Sequence, residues 1–166
     1  MLLLCFPYAG AMLYLRWRRN VPDWLDIQQV ELPGRGSRLL ESLVTDWDSL
    51  IGSLVEEIAS ETNHPYALFG HSFGALLAFE IAHQFKARGL PSAKALIVSG
   101  VHAPSCRDNL RFNELGSDQQ LLAEMQRLNG TEAAVLASEG LMALTLPILR
   151  ADFTYAVFIN ARTGSR

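Results

Sequence analysis

The chain has 166 residues, a net charge of −3, 49% hydrophobic and 19% charged residues. That is enough apolar content for one domain with a sizeable core, and it excludes a disordered chain. The densest basic cluster, Arg16, Arg18 and Arg19, reads as one solvated helix face, too short to grip a phosphate backbone, so no nucleic-acid partner is expected.

Leu2–Phe6 is a continuous apolar run, suited to a strand buried on both faces. A secretory signal would begin with a basic segment; here Pro7 and Gly10 break the run and the arginines follow it, so a first strand is the reading. Residues 12–19 read as a short helix and Ile27–Leu32 as a second strand, closed by Pro33-Gly34 and Gly36. Asp46 reads as an N-cap, with Leu50, Ile51, Leu54, Val55 and Ile58 following at helical spacing. A third strand over Tyr66–Gly70 leads through a Gly/Ser corner into an apolar helix over about 74–87, stopped by Gly89. Ala93–Ser99 is a fourth strand. This alternation predicts a mostly parallel sheet with crossover helices.

From Val101 the pattern changes to a loop and two helices, Asp118–Leu128 and Glu132–Leu149, with no strand between them. Asn160–Arg166 is small, polar and without pattern. No stretch approaches the ~18 apolar residues that would span a bilayer. Cys5 and Cys106 are too few for a disulfide framework, which fits a reducing, cytoplasmic setting, and no Cys/His spacing suggests a metal or other cofactor.

Gly70-His71-Ser72-Phe73-Gly74 matches G-x-S-x-G between a predicted strand and a predicted helix, the context that motif requires. Such a turn is strained; Gly70 and Gly74 carry no Cβ to collide with the chain, and the Ser72 hydroxyl is presented at the carboxyl end of the sheet. The N–H of Phe73, at the start of the helix, would be one donor to an oxyanion. The second is assigned to Ala9, in the Pro7–Gly10 loop after the first strand.

Five ordered segments resemble the type II thioesterases, α/β-hydrolases that serve nonribosomal peptide, polyketide and fatty-acid synthases. They are Cys5–Gly10, Leu32–Arg35, Phe69–Gly74, Ser99–Pro104 and Leu146–Phe153. The resemblance implies hydrolysis of acyl groups from the phosphopantetheine arm of an acyl- or peptidyl-carrier protein, with Ser72 as nucleophile and no metal or dissociable cofactor. It also implies a helical lid over about 101–146, with Leu121, Leu122, Met125 and Leu128 suited to cover the acyl channel or to pack as helix core. The sequence departs from the family at Ala11, where a second glycine is usual, and at Phe73, where methionine is frequent.

The family's triad acid lies in a Gly-Asp-x-Asp-like segment and its base in a Gly-Gly-His-Phe-like segment. Neither is found here, and the match fades after Phe153. The expectation is a single partial α/β-hydrolase domain over 1–166, without the last strands of the fold. Of the four histidines, His64 reads as surface, His71 as structural within the elbow, and His83 as a helix residue facing packing or solvent. His102, with Asp108 nearby, is the candidate for a substitute base. Asp152 is placed by the resemblance in a structural helix segment, and Arg35 and Arg38 read as loop arginines, with contact to a carrier's acidic surface as the alternative. Two rival functions share this sequence: a general carboxylesterase or lipase, and a non-catalytic module that binds acyl carriers.

Overall fold

A computed structural model of the protein describes residues 1–6, 14–103, 117–127 and 139–163. Two compact units are distinguished, 1–103 and 104–166. The first holds a four-stranded sheet of β1 (Leu2–Phe6), β2 (Asp26–Gln29), β3 (Tyr66–His71) and β4 (Leu96–Ser99), in the order β2-β1-β3-β4 with every pair parallel. Two helices accompany it, α1 (Trp47–Ala59) and α2 (Phe73–Ala87). The expected parallel α/β architecture is therefore present.

Burial follows the sequence pattern. Leu4, Cys5 and Phe6 of β1 are fully buried, as a central parallel strand requires. One face of the sheet packs Leu3, Cys5, Ile27 and Ala67 against Tyr14, with Val21, Leu25 and Phe69 at its margin. In α1, Leu50, Ile51, Leu54, Val55 and Ile58 form a buried stripe, and the Asp46 side chain accepts the Ser49 N–H at 2.8 Å, the cap the sequence indicates. Its carboxyl pKa is held low by the Ser49 hydroxyl and backbone N–H. The α2 helix ends where Gly89, at φ 67°, donates its N–H to Lys86.

Several boundaries differ from expectation. The segment expected to be helical over 12–19 forms only a 3₁₀ turn, Trp17–Arg19. Its Arg18 Nε donates to the Ile27 carbonyl at 2.8 Å, and Trp17 and Tyr14 stack edge-on against Phe69, so aromatic anchoring replaces a helical stripe. The second strand stops at Gln29 rather than Leu32. The fourth strand begins at Leu96 rather than Ala93, although Lys94 and Ala95 already exchange backbone bonds with Tyr66 and Leu68. Its Leu96, Ile97 and Val98 are 37%, 46% and 51% exposed, so this edge strand shows its apolar side chains to solvent on both faces.

The second unit contains α3 (Asp118–Arg127) and α4 (Glu139–Thr163). Helix α4 runs through Pro147 and well past Leu149, into residues expected to be pattern-free. Beyond the proline Ala151, Asp152 and Tyr155 are buried on one face of it, three and four residues apart. Arg150 is ion-paired with Asp118 of α3, and Arg127 with the buried Glu124.

Candidate active site

The sheet order sets where chemistry can occur. From β1 the chain moves outward to β2, then crosses through α1 to β3 on the other side of β1. The connections leaving β1 and β3 therefore diverge, and the crevice at a switch point of this kind is where open α/β sheets hold ligands. Phe6, the last residue of β1, pairs with Gly70, so both strands end at the same level beside Ser72.

Ser72 stands alone between β3 and α2, at φ 53° and ψ −118°, and it has the one positive φ of a non-glycine residue among the described residues. A serine there costs about 1–3 kcal/mol of backbone strain and persists only where the surroundings impose it. Three contacts impose it. The Ser72 N–H donates to the Ser99 carbonyl of β4 at 2.8 Å. A Cβ on Gly70 would lie 2.1 Å from the Gly74 carbonyl oxygen, so the helix start folds back onto β3 at a distance only glycine permits. On the following side Ala75 N–H bonds the Ser72 carbonyl at 3.1 Å, closing the first turn of α2.

The Ser72 hydroxyl makes no capping bond to its own helix. Phe73 opens α2, buried and in edge contact with Trp47 of α1. Its N–H stands at the first helical position, at the positive end of the helix dipole. The elbow thus combines a serine oxygen outside the ladder with a backbone donor beside it, the elements needed to attack a carbonyl and receive its developing oxyanion. Ala9 lies outside the described residues.

The remaining candidates are dispersed. His64 is exposed ahead of β3, and His83 is exposed on α2, its ring 4.5 Å from Phe79. His102 is exposed beyond β4, and no hydrogen bond joins it to Ser72; Asp108 is outside the described residues. Asp152 is buried in α4, as a structural helix residue would be. Arg35 is 3% exposed, and Arg38 is held by Glu41, Glu57 of α1 and the Glu31 carbonyl. The bonded Glu41 carboxylate raises the Arg38 pKa, and Arg38 lowers that of Glu41. Among the lid candidates Leu121 is buried and Leu122 half-buried; the side chain of Met125 and all of Leu128 lie outside the description.

Sequence reasoning gave no role to Ser99 and Gly100. The Ser99 hydroxyl lies 3.2 Å from His71 Nδ1, and Gly100, at φ 67°, faces the His71 ring. The one available signal was their place in the Ser99–Pro104 segment, at the end of the fourth predicted strand.

Comparison with known proteins is consistent with this geometry. The profile of the thioesterase domain family matches residues 2–161. The chain is 36% identical over 154 residues to the gramicidin S biosynthesis protein GrsT of Aneurinibacillus migulanus, covering 92% of this chain and 60% of that protein. It superimposes with a TM-score of 0.82 on the RedJ thioesterase of the prodiginine pathway of Streptomyces coelicolor, at 33% identity, covering 96% of this chain and 63% of RedJ. The type II thioesterase BorB from the borrelidin cluster gives a TM-score of 0.78 at 36% identity, covering 93% of this chain and 64% of BorB. The chain thus spans somewhat under two thirds of the length of the relatives it matches.

Proposed function

This chain belongs to the thioesterase family, and on that premise we propose that it carries the nucleophilic part of a serine thioesterase that hydrolyses acyl groups from carrier-protein phosphopantetheine arms. The observation that carries the reading is the Ser72 elbow, strained at φ 53° and packed through Gly70 onto the first turn of α2. Relatives named for gramicidin S and medium-chain fatty-acid synthesis support the substrate class.

In the proposed reaction the Ser72 oxygen attacks the thioester carbonyl and its proton passes to a general base. The tetrahedral oxyanion is held by the Phe73 N–H and by Ala9 N–H, donors each worth about 3 kcal/mol to such a transition state. Collapse expels the phosphopantetheine thiol, which takes up the proton, and leaves an acyl-serine. Water attacks that ester, giving the free acid and restoring the hydroxyl. The family's base and acid segments belong to the part of its length that these residues do not span. Among the described residues no helix is long and apolar enough to cross a membrane, and Cys5 is a free buried thiol; both fit the cytoplasmic setting in which carrier-bound intermediates are made.

Intact-mass spectrometry after exposure to a fluorophosphonate, and separately to an acyl thioester of a carrier protein, tests the proposal. A single adduct mapped to Ser72 from both reagents is expected. A folded chain that takes up neither would refute it; reaction with simple oxygen esters but not with carrier thioesters would favour a carboxylesterase.

A further inference from the structure

We infer that Ser99 and Gly100, at the end of β4, are positioning residues for the nucleophile and act on it through the backbone of Ser72 and the ring of His71; the inference rests on the assignment of Ser72 above. Ser99 holds two consecutive elbow residues at once. Its carbonyl accepts the Ser72 N–H at 2.8 Å, and its hydroxyl shares a hydrogen bond with His71 Nδ1 at 3.2 Å. The two residues are also register partners across the β3–β4 pair, His71 opposite Ser99.

Gly100 completes the clamp. A Cβ there would stand 2.5 Å from His71 Cε1 and 2.9 Å from Nδ1, distances real Cβ atoms essentially never show, and 3.1 Å from Nε2, so the ring would have to shift. The His71 ring therefore occupies the space that a side chain at position 100 would fill. The left-handed backbone of Gly100, φ 67°, turns the chain away immediately after it has served as the floor for that ring.

This arrangement has a chemical consequence. A strained residue must be held from outside its own helix, and β4 supplies that hold on both sides of the His71–Ser72 peptide. Committing the Ser72 N–H to the Ser99 carbonyl anchors the His71–Ser72 peptide, from which φ 53° and ψ −118° at Ser72 set the next peptide, whose donor is the Phe73 N–H. Ser99 thereby separates two backbone donors with different tasks: one fastens the elbow, the other faces the oxyanion.

The test is the kinetics of fluorophosphonate labelling at Ser72, resolved into the maximal inactivation rate and the probe concentration at half-maximum. Ser99→Ala keeps the carbonyl and loses the hydroxyl. It is expected to lower the maximal rate by about two- to tenfold, the worth of one neutral hydrogen bond, with half-saturation unchanged. Ser99→Thr should restore the rate. Gly100→Ala should lower it by at least about tenfold, and by much less when His71→Ala has already removed the ring, because the two changes meet at one contact. Wild-type rates in Ser99→Ala, or strictly additive effects of Gly100→Ala and His71→Ala, would overturn the inference. If the folded wild-type chain takes no label, the functional assignment fails, and hydrogen exchange at the Ser72 amide decides the clamp by itself. Protection in the wild type that falls in Gly100→Ala supports it; equal exchange in both overturns it.

Discussion

Gly70→Ala is the most exacting perturbation of the elbow. The added methyl would stand 2.1 Å from the Gly74 carbonyl oxygen, 2.4 Å from its carbon and 2.5 Å from the Ala75 nitrogen. All three are backbone atoms of the first turn of α2, so no side chain can swing aside. Relief requires the helix start to retreat from β3 by roughly 1.0–1.4 Å, the shortfall of these contacts from ordinary distances of ~3.5 Å. Overpacking of this kind costs about 1–3 kcal/mol, and more where backbone must move. For a chain of this size the upper half of that range lowers Tm by about 4–12 °C. The functional effect should exceed the loss of stability, because the same retreat moves the Phe73 N–H away from the Ser72 oxygen. A displacement of about 1 Å at a reacting centre is worth around 10²-fold. Gly52, inside α1 with nothing within 4 Å of a built Cβ, is the matched control. Gly52→Ala should raise stability by about 0.5–1 kcal/mol through helix propensity and leave labelling unchanged. The assay pairs thermal unfolding with fluorophosphonate labelling of Ser72 well below Tm. A Gly70→Ala chain that unfolds and labels like the wild type would refute the close approach of strand and helix on which the site rests.

Three further outcomes follow from burial and charge. Burial raises the Cys5 thiol from 9.0 to about 12, so at pH 8 roughly one molecule in ten thousand carries the reactive thiolate; peptide-resolved alkylation should spare Cys5 in the folded chain and modify it fully in denaturant. Because that pKa is raised, folding loses stability as the pH rises from the unfolded value toward 12, and urea midpoints above pH 9 should fall less in Cys5→Ala than in the wild type. The Asp46 carboxyl is depressed by its bonds to Ser49, so its stabilising effect is present at neutral pH and lost as acid protonates it. Asp46→Asn, which still caps, should remove part of the acid sensitivity of the urea midpoint below pH 4 without abolishing α1. Leu77, fully buried on α2, should cost about 2–5 kcal/mol when replaced by Ala; a midpoint shift corresponding to less than 1 kcal/mol would contradict its place in the core.

What was legible in the sequence follows the locality of the signal. The α1 cap, the buried α1 stripe, the Gly89 stop and the strand-turn-helix around Ser72 are each set within about fifteen consecutive residues, and each appears as read. The turn at Trp17–Arg19 was misread because its aromatic residues anchor to Phe69, more than fifty positions away, and no local periodicity reports such a contact. Helix α4 runs beyond the Leu149 end expected from the sequence, and Ala151, Asp152 and Tyr155 are buried on that continuation. In the site itself Ser72 and Phe73 were visible as a motif. The Ser99 carbonyl and hydroxyl were not, since their role depends on the register of β3 with β4, which a single sequence does not state.

The same distinction orders the chemistry. In the proposed function the nucleophile, its strained backbone and one oxyanion donor all come from residues 66–100, and the β1–β3 register brings the end of β1 to the same level. This half of a serine hydrolase needs only adjacent parallel strands and one helix start. Proton transfer makes a different demand, since a base must reach the Ser72 oxygen from another element, and no described histidine is hydrogen-bonded to it. Serine hydrolases deprived of triad members still retain about 10³–10⁴-fold acceleration from the oxyanion hole and binding alone. Residues 66–100 should therefore confer reactivity toward strongly activated phosphonates before they confer thioester turnover, and the separation between those two activities measures what the base contributes.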